Sequence, residues 1–241
     1  MDRYVVIKKT IKAKFDEFMD HGRILYFSAP CGFGKTTVAF ELLRGKKFEL
    51  ISGLETDGIL PEIKLNCDIV VIDDFQQFQE NEDLQKLNEV IRDNPQKKFV
   101  LLSRGSVPGV LRAFQYTGDM IVIDARDLLF DRDDIRQLFL GYNIKLTDSE
   151  NNEILKEAIG HPLGVVVTLQ CMNRADSQRA FNSDIVKKAY HEVFLYFEAA
   201  IYQRFDLPIR RFLLELASFD NFDYELARMV SGDPNASELL D

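Results

Sequence analysis

Residues Ile24 to Thr37 constrain this chain more than any other stretch. Ile24-Leu25-Tyr26-Phe27-Ser28 is an apolar run that reads as a buried strand. Ala29-Pro30-Cys31-Gly32-Phe33-Gly34-Lys35-Thr36-Thr37 follows, a tight loop opening a helix. The loop fits the phosphate-binding pattern G-x-x-x-x-G-K-[ST], with Ala29 where the first Gly usually stands. Each residue type has a physical reason. Gly32 and Gly34 let backbone N–H groups turn inward and approach phosphate oxygens with no side chain in the way. The helix beginning near Lys35 adds its N-terminal dipole and unpaired N–H groups. Lys35 is placed to reach the β- and γ-phosphates of a nucleotide, and the Thr36 hydroxyl to ligate Mg²⁺. Pro30, Cys31, Phe33 and Thr37 complete the expected cradle. The following helix carries Val38, Ala39, Leu42 and Leu43 and stops at Gly45, which is the strand–loop–helix context the motif requires.

Later runs extend the pattern. Lys47 to Ile51 reads as a second strand. Ser52 to Asn66, with two glycines and Pro61, reads as a loop. In Asp68-Ile69-Val70-Val71-Ile72-Asp73-Asp74, four apolar residues end in paired acid. A parallel strand buried on both faces has this unbroken apolar character, and ligands of such sheets bind at the carboxyl ends of the strands. Asp73 is therefore assigned to Mg²⁺, directly or through water, and Asp74 to orienting or deprotonating an attacking water. A helix over 81–93 leads to Lys98-Phe99-Val100-Leu101-Leu102-Ser103-Arg104. Arg104 should emerge at the same sheet edge, where its planar donor fork can sense a γ-phosphate. Met120 to Asp124 is a fifth strand. Five strands with intervening helices or loops predict an α/β fold with a parallel P-loop sheet. Before the first strand, Ile11, Phe15, Phe18 and Met19 mark an amphipathic helix that a nucleotide base could rest against.

From Asp131 onward the pattern turns helical. Asp131 can cap a helix carrying Ile135, Leu138 and Phe139, and Thr147-Asp148-Ser149-Glu150 is a capping box. Gly160-His161-Pro162-Leu163-Gly164 breaks the next helix, with Pro162 suited to open another. Ile185 to Gln203 is a long amphipathic helix whose aromatics, Tyr190, Phe194, Tyr196, Phe197 and Tyr202, are expected to be mostly core. Further helices run from Leu207 through Phe219 and from Phe222 to Val230. The expected organisation is a nucleotide-binding domain over 1–129, a helical lid over 130–183 and a third helical piece over 184–241.

The net charge of −9 argues against these residues gripping nucleic acid unaided, since phosphate neutralisation needs a basic face. The three cysteines lie far apart without metal spacing and read as reduced thiols. With neither a signal-peptide pattern nor a run long enough to cross a bilayer, the expected location is cytoplasmic, away from membrane.

The phosphate loop, Val70-Val71-Ile72-Asp73-Asp74-Phe75, Leu101-Leu102-Ser103-Arg104 and Gly160-His161-Pro162 together resemble the STAND class of signal-transduction ATPases. They are most similar to the maltose-activator branch of large LuxR-type bacterial transcription regulators. Leu207-Pro208, Phe212 to Ala217 and Glu225-Leu226-Ala227 resemble the start of that family's winged-helix segment. The resemblance implies a regulated switch binding ATP or ADP with Mg²⁺, closed with ADP and self-associating with ATP and an inducer. It implies that Arg104 senses the γ-phosphate, that Pro162 contacts adenine from the lid, and that Asp74, where efficient motors use Glu, gives slow turnover. DNA would be bound through a later helix-turn-helix, and the ending at Leu239-Leu240-Asp241 reads as a cut. Two other readings are a faster AAA-type ATPase or P-loop kinase, and a scaffold with a degenerate nucleotide site. The intact Lys35, Thr36 and Asp73 weigh against the scaffold.

Overall fold

The computed structural model describes residues 4–56, 58–78, 80–174, 183–219 and 223–232. Two compact units divide the chain, Met1–Val186 and Lys187–Asp241.

The first unit begins with α1 (Lys9–Asp20), β1 (Ile24–Ser28), α2 (Lys35–Leu42) and β2 (Phe48–Ser52). It continues with β3 (Ile69–Asp73), α3 (Asn81–Asp93), β4 (Lys98–Ser103), α4 (Arg112–Tyr116), β5 (Met120–Asp124) and α5 (Ala125–Leu128). The sheet has the order β2-β3-β4-β1-β5, and every pair is parallel. Its register places Ser28 beside both Ser103 and Asp124, and Ser52 beside Asp73. The apolar runs therefore end together, and their polar last residues share one edge.

Alternation along the strands separates two apolar layers. Leu25, Phe27, Val71, Val100, Leu102 and Ile123 face Ile11, Phe15 and Phe18 of α1 and Val38 and Ala39 of α2. Ile24, Tyr26, Val70, Ile72, Phe99 and Leu101 face Leu87 and Ile91 of α3, with Leu111 and Phe114. The short β2–β3 link forms no α-helix among its described residues. A 3₁₀ turn at Gly53–Glu55 leads into an extended strap whose Leu60, Ile63 and Leu65 pack on the second layer. Asp83 Oδ2 accepts from Leu60 N at 3.0 Å and Glu49 Oε1 accepts from Lys64 N at 3.0 Å. The strap thus covers one face of β2, the edge strand.

Tyr26 sits in the central layer with no exposed surface, its hydroxyl donating to Ser106 O at 2.9 Å. Burial pushes the phenol up to about 12, against an opposing hydrogen bond from Ser103. The folded protein therefore holds this proton more tightly than the unfolded chain, and stability should fall as pH rises from about 10 toward about 12. Tyr26→Phe is expected to cost about 1 kcal/mol at neutral pH and to flatten that alkaline decline. Urea unfolding at a series of pH values measures both.

The same unit continues, in the region expected to form the lid, with α6 (Arg132–Gly141), α7 (Asp148–Ala158) and α8 (Pro162–Arg174). Asp131 caps α6 and Thr147 caps α7, each with a complete capping box. Ile135, Leu138, Phe139, Ile154, Val165 and Leu169 form a core cluster there together with Val6. The residues just before α1 thus join this cluster through Val6, while Ile11, five residues on, enters the sheet core. Ile159, which follows α7, is a left-handed C-cap residue at φ 50° and is 80% exposed.

In the second unit, α9 (Ser183–Ala200) arrives from the first, followed by α10 (Leu207–Leu216) and α11 (Tyr224–Ser231). Phe212, Leu216 and Ala227 form its small core. Two expectations are corrected here. The long helix ends at Ala200, and Tyr202–Arg204 is a 3₁₀ turn. Its aromatics are not mostly core: Tyr190, Phe194 and Tyr196 are all exposed. An apolar residue contributes to a core only if another element covers its side of the helix, which helical spacing does not specify. Phe222, the expected start of the last helix, and the closing residues from Asp233 lie outside the described residues.

Candidate functional site

The loop between β1 and α2 wraps the N-terminus of α2. Gly34 is the N-cap at φ 77°, and Gly32 stands at φ 83°. Both angles lie in the left-handed region where a Cβ is strained, so the two glycines are what let the main chain turn inward. Lys35 folds its side chain back over the loop, Nζ donating to Ala29 O at 2.6 Å and Pro30 O at 3.0 Å. Burial first, then the like charge of Arg104, holds its ammonium below the ordinary lysine range, opposed by Cys31, Asp73 and Asp74.

Thr36 Oγ1 donates to Asp73 Oδ2 at 2.9 Å. The hydroxyl at the helix start and the carboxylate at the tip of β3 therefore converge. The other Asp73 oxygen accepts from Asp74 N at 2.8 Å. Asp74 is held in the left-handed region at φ 50°, where an Asp is better tolerated than most residues. Its Oδ1 accepts from Gln76 Nε2 at 3.0 Å and lies 3.6 Å from Arg104 Nη2. Gln76 Oε1 in turn accepts from Arg104 N at 3.0 Å. Gln76 was not identified from the sequence; its amide joins the ends of β3 and β4, and a polar residue two positions after the acid pair is its only local trace.

Lys35, Thr36, Asp73, Asp74 and Arg104 thus gather at one sheet edge. Among the described residues no group of three or more His, Cys, Asp or Glu could hold a metal ion. The Thr36–Asp73 pair fits Mg²⁺ all the same, because that ion is usually held by one or two protein oxygens together with phosphate and water.

Beside the loop lies a cavity of about 270 Å³. Val6 and Ile11 line it from the N-terminal segment, Phe33 and Thr37 from the loop region, and Pro162 and Val166 from the lid. Pro162, expected on the lid, is therefore brought to the loop. Its walls are chiefly apolar, with Lys8 Nζ engaged by Leu129 O at 2.7 Å. A flat, largely apolar group tethered to a phosphate chain suits such a space. The lid reaches the loop itself. The His161 imidazole meets the Phe33 ring edge-on, centroids 4.6 Å apart at 72°. A Cβ built on Gly32 would stand 2.8 Å from His161 Cε1 and 3.2 Å from Leu163 Cδ2, so a side chain there would press on the His161 ring in addition to straining its own backbone angle.

The sequence matches no protein-family model, and it matches no curated protein. Solved structures do match. A Walker-type ATPase of Pyrococcus abyssi superposes at a TM-score of 0.64 with 15% identity, covering 98% of this chain and 88% of that one. RuvB of Thermotoga maritima gives 0.54 and 15%, covering 97% and 85%. ORC1 of Aeropyrum pernix, solved in complex with DNA, gives 0.52 and 11%, covering 91% and 74%. At such identities the likeness establishes the fold and nothing finer: this chain has the α/β fold of the P-loop ATPases.

Proposed function

We propose that the chain is an ATP- and ADP-binding regulatory module with slow Mg²⁺-dependent hydrolysis, belonging to a bacterial transcription regulator of the STAND, maltose-activator-like LuxR type. The convergence of Lys35, Thr36 and Asp73 on the phosphate loop carries this reading. Thr36 and Asp73 hold the metal, which neutralises phosphate charge. Lys35 and the loop amides bind the phosphates, and the cavity at Pro162 takes the adenine.

Two features favour a switch over a fast enzyme. The lid helices touch both the loop and the base cavity, so a nucleotide bound there bears on the sheet edge and on these helices at once. Asp74, the candidate base, is turned toward Gln76 and Arg104 through Oδ1, so one of its two oxygens is already engaged before any water arrives. A γ-phosphate competes with Asp74 for Arg104, which makes this arginine the sensor. Turnover below about one per second separates this reading from an AAA-type motor or a kinase. Self-association with ATP, an inducer, and DNA binding through a later segment belong to the same proposal. Among the described residues, no helix is long and apolar enough to cross a membrane.

Isothermal titration of the protein with ADP or ATP, with Mg²⁺ and with EDTA, tests the core of this. Wild type should bind both nucleotides, and Mg²⁺ should strengthen ATP binding. Asp73→Asn keeps an oxygen but removes the charge, and is expected to weaken binding with Mg²⁺ about tenfold while leaving binding in EDTA little changed. No binding by wild type sinks the reading; an unchanged Mg²⁺ response in Asp73→Asn sinks the metal assignment.

A further inference from the structure

One lid side chain meets three consecutive residues of the phosphate loop. The His161 imidazole is hydrogen-bonded to the main chain at Cys31, lies against the position a Cβ would take on Gly32, and packs edge-on to Phe33. Burial holds the imidazole below the ordinary histidine range, opposed by the Cys31 contact; that opposing sign identifies the imidazole N–H as donor and a carbonyl as acceptor. His161 is anchored on its own side as well: its N donates to Ala158 O at 2.8 Å, and its carbonyl accepts from Val165 N at 3.2 Å. The ring is therefore fixed to the start of α8 and reaches across to the loop. The next residues, Pro162 and Leu163, and Val166 one turn on line the cavity beside the loop. Moving this end of α8 away from the loop would break the His161 contacts with Gly32 and Phe33.

We infer that His161 is a latch that sets how fast nucleotide leaves, by pinning the lid helix that walls the cavity to Cys31, Gly32 and Phe33 of the phosphate loop. The inference rests on the nucleotide-binding reading above. His161 touches no reacting atom in this scheme; it is a positioning residue that acts through the loop and through α8. The hydrogen bond and the ring contact are separable. His161→Phe keeps an aromatic surface against Phe33 and loses the donor. His161→Gln keeps an N–H donor at similar reach and loses the ring. Losing one partly buried hydrogen bond at the point of release is worth about a tenfold change in rate.

The experiment follows release of a fluorescent ADP analogue by stopped flow after chase with unlabelled ADP, with melting temperatures recorded for each variant. His161→Phe and His161→Ala should release the analogue about tenfold faster than wild type. His161→Gln should stay within about threefold of wild type. The lid is small and its core lies elsewhere, at Ile135, Phe139, Ile154 and Val165. Melting temperatures should therefore not follow the order of the release rates. Release rates unchanged in both His161→Phe and His161→Ala, with wild type binding normally, overturn the latch and leave the nucleotide site standing. Rates that track melting temperature across the three variants overturn it too, by reducing His161 to packing. Wild type that binds no analogue overturns the functional reading itself and takes the latch with it.

Discussion

Lys35→Ala is expected to weaken ADP and ATP binding by about 100- to 1,000-fold, read by isothermal titration against wild type. The side chain makes two hydrogen bonds to loop carbonyls, at Ala29 and Pro30, so it already lies over the loop whose amides would cradle the phosphates. Charge-assisted hydrogen bonds contribute roughly 1.5–3 kcal/mol each, and two to phosphate oxygens, taken in the lower half of that range at about 1.5–2 kcal/mol each, amount to about 3–4 kcal/mol, which is that range of affinity. Truncation also leaves Asp73 and Asp74 without a nearby ammonium, and both repel an incoming phosphate. The depressed lysine pKa adds a pH signature. An ammonium held below the ordinary range loses its proton sooner as pH rises, so wild-type affinity should decline on the alkaline side before the usual lysine range is reached. In Lys35→Ala that decline should vanish. Binding unchanged by the substitution would remove the phosphate loop from the account altogether.

This result would test the most legible part of the sequence. The loop could be read because its chemistry is local: glycines at fixed offsets, a lysine, a hydroxyl, and a strand and helix on either side. Asp73 and Asp74 were legible because a doubly buried strand must end before acid can reach water. Asp131 and Thr147 announced their helices through capping residues that satisfy the backbone within three positions. The rest depends on contacts between distant segments. Nothing near His161 in sequence states that its ring will meet Phe33, 128 positions earlier, and the Gly-His-Pro break marks only a change of direction. The capping box at Asp124 and Asp127, which opens α5, went unread because it begins on the last residue of a strand. Tyr190 and Phe194 had helical spacing suited to a core, yet α9 leaves them exposed. Periodicity shows that a helix has an apolar side but not what covers it.

Phe99→Ala should be the most destabilising of the substitutions considered, at about 3–5 kcal/mol. Phe99 lies on β4, the middle strand of five, and is completely buried. It pairs in register with Ile24 on one side and Val70 on the other, and its layer packs against Leu87 and Ile91. Backbone hydrogen bonds on both edges fix β4, so the sheet cannot close over the missing ring, and the cost includes a cavity as well as lost apolar burial. For a unit of this size the melting temperature should fall by about 10 °C. Leu50→Ala, on edge strand β2 and 50% exposed, serves as the contrast and should change stability by less than about 1 kcal/mol. The two substitutions should also differ at the site. β4 ends at Ser103, next to Arg104, whose main chain is tied to Gln76. A loosened Phe99 position frees the strand that sets where Arg104 stands, so Phe99→Ala should weaken the response to a γ-phosphate even at temperatures where the protein remains folded. Equal melting temperatures for Phe99→Ala and Leu50→Ala, by calorimetry on both proteins, would mean that β4 is not the central strand.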